Sequence, residues 1–378
     1  MFNITTLNKI SPVGLDKFTN DYQITDDISM ADGILVRSQD MLSMDFSDNL
    51  KAIARAGAGV NNIPLDKCAE KGIVCFNTPG ANANAVKELV LSGLLLSARN
   101  IPAALSWAKD LVPGELDVAK QVEKGKSQFA GTELKGKTIA ILGLGAIGRK
   151  ISKSAIDLDM TVIGYDPFVT ELDGVEVFTE LKDMLPKADY ISLHLPANSD
   201  TAKMVNDEFL SFVKEGAVLL NFSRDKLIDF DALFKALDNS RLKEYITDFP
   251  TDETCGKEKI ILLPHLGAST EEAEDNCAVM AVNQIKDYLE NGNIVNSVNF
   301  PKLDMGKKKG KRIAIISNGF KNPLIDIMDM FSSLNIQSEK IMTVRREDGI
   351  AYTLSEISGD IPGIDFSELP NIIKARII

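Results

Sequence analysis

Thr138 to Lys150 reads TIAILGLGAIGRK, and this stretch decides the fold. An apolar, β-branched run from Thr138 to Leu142 passes straight into Gly143-x-Gly145-x-x-Gly148, and a helical pattern follows. Gly143 permits a tight turn, Gly145 lets backbone approach a pyrophosphate, and Gly148 allows helix and strand to pack closely. The N-terminus of the helix that follows then offers unpaired N–H groups and partial positive charge to phosphate. A second apolar run, Thr161 to Tyr165, ends in Asp166, 18 residues after Gly148. A carboxylate there can accept the ribose hydroxyls of NAD and repel the extra phosphate of NADP. Three glycines alone are a common pattern. With a strand before, a helix after and an acid at this spacing, they mark a dinucleotide site, with NAD as the cofactor.

Working outward, short apolar runs alternate with longer segments of helical period. Ile34 to Val36, Ile73 to Phe76, Tyr190 to Leu195 and Ala217 to Asn221 read as further strands, with helices over Ala85 to Arg99 and Ile147 to Asp157. That alternation predicts a parallel sheet covered by helices on both faces, whose strands are apolar throughout because both sides are buried. The glycine fingerprint starts only at residue 143, so roughly a hundred residues fold ahead of it. They are expected to complete the active site from across a cleft. Pro301 to Arg312 (PKLDMGKKKGKR) is almost without apolar residues and reads as a solvated basic linker. Beyond it, strands at Arg312 to Ser317, Ile336 to Val344, Ile350 to Glu356 and Ile373 to Ile378 surround a helix at Pro323 to Leu334 and a helical turn near Phe366 to Leu369. That order, βαββαβ, predicts a small ferredoxin-like module.

Composition excludes several classes of function. The 378 residues are 44% hydrophobic and 25% charged, an ordinary globular balance, and 42 basic against 54 acidic side chains leave a net charge of −12. Bulk charge of that sign repels nucleic acid and anionic membrane, so an anionic metabolite must be held by a few local cations and backbone N–H groups. The four cysteines form no C-x-x-C pair, so no zinc cluster or disulfide framework is expected, and no metal. The most apolar stretch, Leu89 to Ala104, is interrupted by Ser92, Ser97, Arg99 and Asn100, and no secretory leader opens the chain. The expectation is a cytoplasmic protein.

Two histidines are candidates for acid–base work, since oxidation of a hydroxyl needs a base for its proton. His194, in ISLHLP, closes an apolar strand and reads as structural or cofactor-side. His265, in LLPHLGAST, lies between a strand and a helix start, where open α/β sheets place their chemistry. Arg224, in VLLNFSRDKLID, also follows a strand. There it can grip a carboxylate through two parallel hydrogen bonds and polarise a 2-oxo group.

In this order, G-x-G-x-x-G, NFSR and PHLGAST resemble the D-2-hydroxyacid dehydrogenase family, and LVRSQDML at Leu35 to Leu42, RAGAGVNNI at Arg55 to Ile63 and FNTPGANAN at Phe76 to Asn84 support the likeness. The resemblance implies a Rossmann NAD-binding domain (98–269) inserted in a flavodoxin-like substrate domain (1–97 and 270–300), then a linker (301–311) and an ACT-like regulatory module (312–378). It implies NAD-dependent oxidation of 3-phospho-D-glycerate. Reduction of glyoxylate or hydroxypyruvate is the alternative within the family, and dinucleotide sensing without turnover the alternative outside it. It gives the acid–base role to His265, substrate orientation to Arg224 and substrate binding to Arg37, Ser38, Ala58, Gly59 and Val60. Gly143, Gly145, Ala146, Ile147, Gly148, Asp166, Phe222, Ser223, Arg224, Asp248, His265 and Gly267 would meet NAD. It further implies a homodimer or homotetramer paired through the arm from Ala98 to Lys137.

Three departures stand out. Where the family has D-V-F-x-x-E-P, this chain reads Thr247-Asp248-Phe249-Pro250-Thr251-Asp252-Glu253, so by position Asp252 supports the histidine, with Glu253 beside it. Asp225 stands where Gly is common. In the C-terminal module, Ser317 to Asn322 (SNGFKN) and Gln337 replace the residues that bind serine in the family, which puts serine feedback in doubt.

Overall fold

A computed structural model describes residues 1–114, 117–358, 366 and 370–378. Two compact units divide the chain, Met1–Asn82 with Glu271–Ile378, and Ala83–Thr270.

The first unit opens with five strands, β1 (Phe2–Thr6), β2 (Tyr22–Ile24), β3 (Gly33–Val36), β4 (Ala52–Arg55) and β5 (Val74–Phe76). All are parallel, in the order β2-β1-β3-β4-β5, the flavodoxin-like order. β3 and β5 are buried at every residue, as a doubly covered sheet requires. The helix Glu271–Asn291 packs on this sheet through Cys277, Ala278, Ala281, Val282 and Ile285.

The second unit holds β6 (Thr138–Leu142), β7 (Thr161–Tyr165), β8 (Glu176–Phe178), β9 (Tyr190–Leu193), β10 (Ala217–Asn221), β11 (Leu242–Thr247) and β12 (Ile260–Leu262). Their order is β12-β11-β10-β9-β6-β7-β8, parallel throughout, so the order in which the chain lays down strands reverses at the β6–β9 boundary. That is the Rossmann arrangement, and ligands of such sheets bind at this switch point. The crossover into the unit lies earlier than residue 98. Val86, Val90, Leu94 and Ala98 of helix Ala83–Ala98 share a core with Leu220, Phe222 and Ile246, so this helix belongs to the nucleotide unit from its first turn.

The last part of the chain forms β13 (Lys311–Ser317), β14 (Gln337–Arg345), β15 (Ala351–Ser358) and β16 (Ile372–Ile377), antiparallel in the order β14-β15-β13-β16, with helix Pro323–Ser333 after β13. Residues 367–369 of the expected helical turn lie outside the described residues. This small sheet clusters with the first unit. Its Ala314, Ile316, Tyr352 and Leu354 join one apolar cluster with Tyr288, Leu289 and Ile294.

The basic run is not solvated along its whole length. Leu303 is buried and bridges Ile294, and Arg312 has no exposed surface. The Arg312 guanidinium pairs with Glu356 and donates to the carbonyls of Asn291 and Gly306. Arg376 donates to the carbonyls of Tyr288 and Leu289 at the end of helix Glu271–Asn291, where the helix dipole favours a cation. Packing left Arg312 no route to water, so backbone carbonyls and Glu356 took the place of solvent. No single helix among the described residues is long and apolar enough to cross a membrane.

Lys374 of β16 donates to the Leu50 carbonyl at 2.6 Å, and burial, helped by nearby Lys51, lowers its pKa from 10.5 to about 8. Between those values the unfolded chain holds a proton that the folded chain has released, so stability rises with pH across that window. Below pH 8 both forms are protonated and the group adds no slope. The difference in urea midpoint between wild type and Lys374→Met is therefore expected to be constant below pH 7.5 and to shift in favour of wild type from pH 8 to 10. A difference flat to pH 10 overturns this assignment.

Candidate active site

The glycine turn of the second unit follows from local sterics. Gly143 has φ +96°, and a Cβ on it would lie 2.4 Å from the His194 carbonyl oxygen. A Cβ on Gly148 would lie 2.0 Å from the Gly143 carbonyl oxygen, so helix Ala146–Asp157 reaches the end of β6 only without that side chain. Around Gly145, by contrast, a Cβ would meet nothing within 4 Å. The turn is tight on its protein side and open on the other, which leaves backbone for a pyrophosphate. Asp166 accepts from the Leu144 and Phe168 N–H groups, each at 2.8 Å, and is fixed at the end of β7. Ile147 is half-buried.

Behind the turn, His194 hydrogen-bonds through Nε2 to Ser192 Oγ at 2.7 Å. Burial lowers its pKa to about 3, so the ring is held neutral. Phe222 sends its ring into the core, and Ser223 donates to the Leu193 carbonyl at 2.6 Å, so both brace the loop that carries Arg224.

Arg224 is exposed. Its guanidinium lies 5.8 Å from the centre of the Phe249 ring, and the His265 ring lies 4.6 Å from that ring on the same loop cluster. Phe249 thus lies near both the Arg224 and His265 side chains, although no motif in the sequence gave it a role. His265 has φ +48°, and its N–H bonds to the carbonyls of Asp248 and Leu263. A non-glycine residue in that region is held there by its surroundings, here by these two bonds. Asp248 is 1% exposed and accepts from Gly267 N–H at 2.9 Å, while its Oδ1 has no hydrogen-bond partner. Burial pushes its carboxyl up, against the opposing pull of Gly267, His265 and Arg224. A buried acceptor without a partner calls for a donor, and a nicotinamide carboxamide is one. Asp166, the open turn and Asp248 together fit a dinucleotide.

Asp252 and Glu253 are both exposed, and no hydrogen bond or ion pair among the described residues joins either to His265. Glu253 is held below the usual carboxylate range by its own N–H and by Thr251.

In the first unit, the N–H groups of Arg37, Ser38 and Gln39 all donate to Asn8 Oδ1, at 3.0, 2.9 and 2.9 Å. Arg55 donates from Nε to the Arg37 carbonyl at 2.8 Å and from its terminal nitrogen to the Gly59 carbonyl at 2.6 Å. Asn77 donates to the Ala58 carbonyl at 2.7 Å. Asn8, Arg55 and Asn77 therefore fix the two loops that carry Arg37, Ser38, Ala58, Gly59 and Val60. Arg55 had a signal in the quoted RAGAGVNNI, whereas Asn8 had none. The Arg37 guanidinium pairs with Glu274 at 2.6 Å. A groove of about 440 Å³ along helix Glu271–Asn291, beside Met280, Asn283 and Gln284, contains none of these residues.

Residues 101–267 match the family described as D-isomer specific 2-hydroxyacid dehydrogenase, NAD binding domain. The chain is 34% identical to D-3-phosphoglycerate dehydrogenase of Methanocaldococcus jannaschii, over 99% of this chain and 73% of that protein. It is 35% identical to hydroxypyruvate reductase of Thermotoga maritima, over 68% of this chain and 85% of that one. Among solved structures, the NAD⁺-bound 3-phosphoglycerate dehydrogenase of Entamoeba histolytica superposes with a TM-score of 0.63 at 27% identity, covering 80% of this chain and 99% of that one.

Proposed function

The chain belongs to the D-2-hydroxyacid dehydrogenase family and is an NAD-dependent oxidoreductase, and from that premise we propose that it oxidises 3-phospho-D-glycerate to 3-phosphohydroxypyruvate, the opening step of L-serine biosynthesis. The observation that carries this reading is the likeness to a D-3-phosphoglycerate dehydrogenase over 99% of the chain, C-terminal module included.

When bound, NAD would supply the acceptor for the hydride that leaves C2 of the hydroxy acid. Gly143, Gly145, Ala146 and Gly148 would hold its pyrophosphate, Asp166 its ribose and Asp248 its carboxamide. An unprotonated ring nitrogen of His265 takes the proton of the C2 hydroxyl as the C–H bond breaks. Arg224 holds the C1 carboxylate and favours the negative charge that builds on the C2 oxygen. Asp252 stays the carboxylate assigned to His265 by its place in the sequence. From its end of β3, Arg37 would receive the phosphate, with Ser38 and the backbone of Ala58 to Val60 beside it. The antiparallel order β14-β15-β13-β16, with a helix after its first strand, supports reading the last module as ferredoxin-like and ACT-like. Exposed Leu105 and Val112 support an arm that pairs subunits into a homodimer or homotetramer.

The test follows loss of NADH absorbance with 3-phosphohydroxypyruvate, hydroxypyruvate and glyoxylate. A strong preference for the phosphorylated acid is expected. In Arg37→Ala its KM should rise about ten- to a hundred-fold, the range for one lost charge-assisted contact, and far more than the KM for hydroxypyruvate. Preference for an unphosphorylated acid would move the role to the second reading, a hydroxypyruvate reductase, which the Thermotoga relative favours.

A further inference from the structure

Around Arg37, the N–H groups and the guanidinium that could receive an anion already hold one of the chain's own oxygens. Three consecutive N–H groups, at Arg37, Ser38 and Gln39, converge as an anion-binding nest does, yet the carboxamide oxygen of Asn8 fills it. The two Arg55 bonds to backbone carbonyls hold the strand end under Arg37 and the loop at Gly59. What projects beyond this fixed backbone is the Arg37 guanidinium, and the Glu274 carboxylate lies on it at 2.6 Å. The pair is open to solvent, with the two side chains 37% and 45% exposed.

Glu274 sits in the first turn of helix Glu271–Asn291, with Glu271 and Glu272. The helix start is pinned independently, because the Ser11 hydroxyl donates to Asp275. The pair with Arg37 is therefore not needed to place the helix. It is a contact that an incoming anion can replace.

We propose that Glu274 is a specificity-determining residue: its carboxylate occupies Arg37 until the dianionic phosphate of the substrate takes its place. This rests on the functional reading above. A phosphate carries more charge and more acceptor oxygens than a carboxylate, so it wins the guanidinium by exchange. A neutral hydroxyl tail has nothing to exchange and leaves the pair closed. Glu274 thus lowers affinity for the phosphorylated acid by the strength of one half-exposed ion pair, a factor of about two to five.

The experiment measures KM for 3-phosphohydroxypyruvate and for hydroxypyruvate, and inhibition by inorganic phosphate, in wild type, Glu274→Gln, Arg37→Ala and the double variant. In Glu274→Gln, the ratio of hydroxypyruvate KM to 3-phosphohydroxypyruvate KM should rise about two- to five-fold, and phosphate should inhibit correspondingly better. In the Arg37→Ala background the same change should leave the ratio where it was, since Glu274 acts through Arg37. A ratio that falls or stays put in Glu274→Gln overturns the exchange, as does an effect that persists without Arg37. A wild type that prefers hydroxypyruvate instead overturns the functional reading, so the two failures are told apart.

Discussion

Replacing His265 with Ala is expected to lower kcat about a thousand-fold while NADH still binds, because positioned proton transfer contributes roughly 10² to 10⁴ in rate. The residue's loop is fixed by backbone bonds to Asp248 and Leu263, not by its imidazole, so the fold should survive. Titration of NADH by fluorescence checks binding, and single-turnover absorbance checks chemistry. Loss of turnover with binding retained makes the protein an enzyme that uses this base. Retained turnover would sink the base assignment, and a wild type that binds NADH but turns over none of the three acids would favour a dinucleotide sensor. His194→Ala is the contrasting variant. That ring is neutral, buried and bonded to Ser192, so its loss should lower stability and leave the acid limb of the pH–rate profile in place.

The second large effect lies far from the chemistry. Arg312→Ala is expected to cost about 3 to 5 kcal/mol, the range for removing one partner of a buried ion pair. Glu356, with 14% of its side chain exposed, would lose its cation, and the Asn291 and Gly306 carbonyls would lose their donor. About 3 kcal/mol is a factor of roughly 150, so hydrogen-exchange protection in β13 and β15 should fall by at least about a hundred-fold. Arg312→Met with Glu356→Gln removes both charges and should recover part of the loss. Protection unchanged in Arg312→Ala would show that the cation is not what holds the module to helix Glu271–Asn291.

These effects differ in how visible they were beforehand. The strands β6, β7 and β10 coincide with the runs read from sequence, because central parallel strands are apolar on both faces and announce themselves. β1, β2, β4, β8 and β11 were not seen. β2 and β8 are three-residue strands at sheet edges, β4 has four residues, and β1 (FNITT) and β11 (LKEYIT) are at most half apolar, so none has a pattern long enough to read. The crossover at Ala83 was placed near residue 98. Period marks where a helix lies, but not which sheet its apolar face will choose.

Sequence by itself determined the glycine turn, the acid after β7, the order of the chemical motifs and the family, because each rests on covalent spacing and local sterics. Asn8 filling the nest of three N–H groups, Phe249 between Arg224 and His265, Glu274 on Arg37 and the burial of Arg312 were decided by tertiary structure alone. Three of these four join residues at least 16 positions apart. The fourth, Arg312, looked like solvated charge until its strand packed. Polar contacts of this kind depend on where folding removes water, and no local pattern in a chain records that.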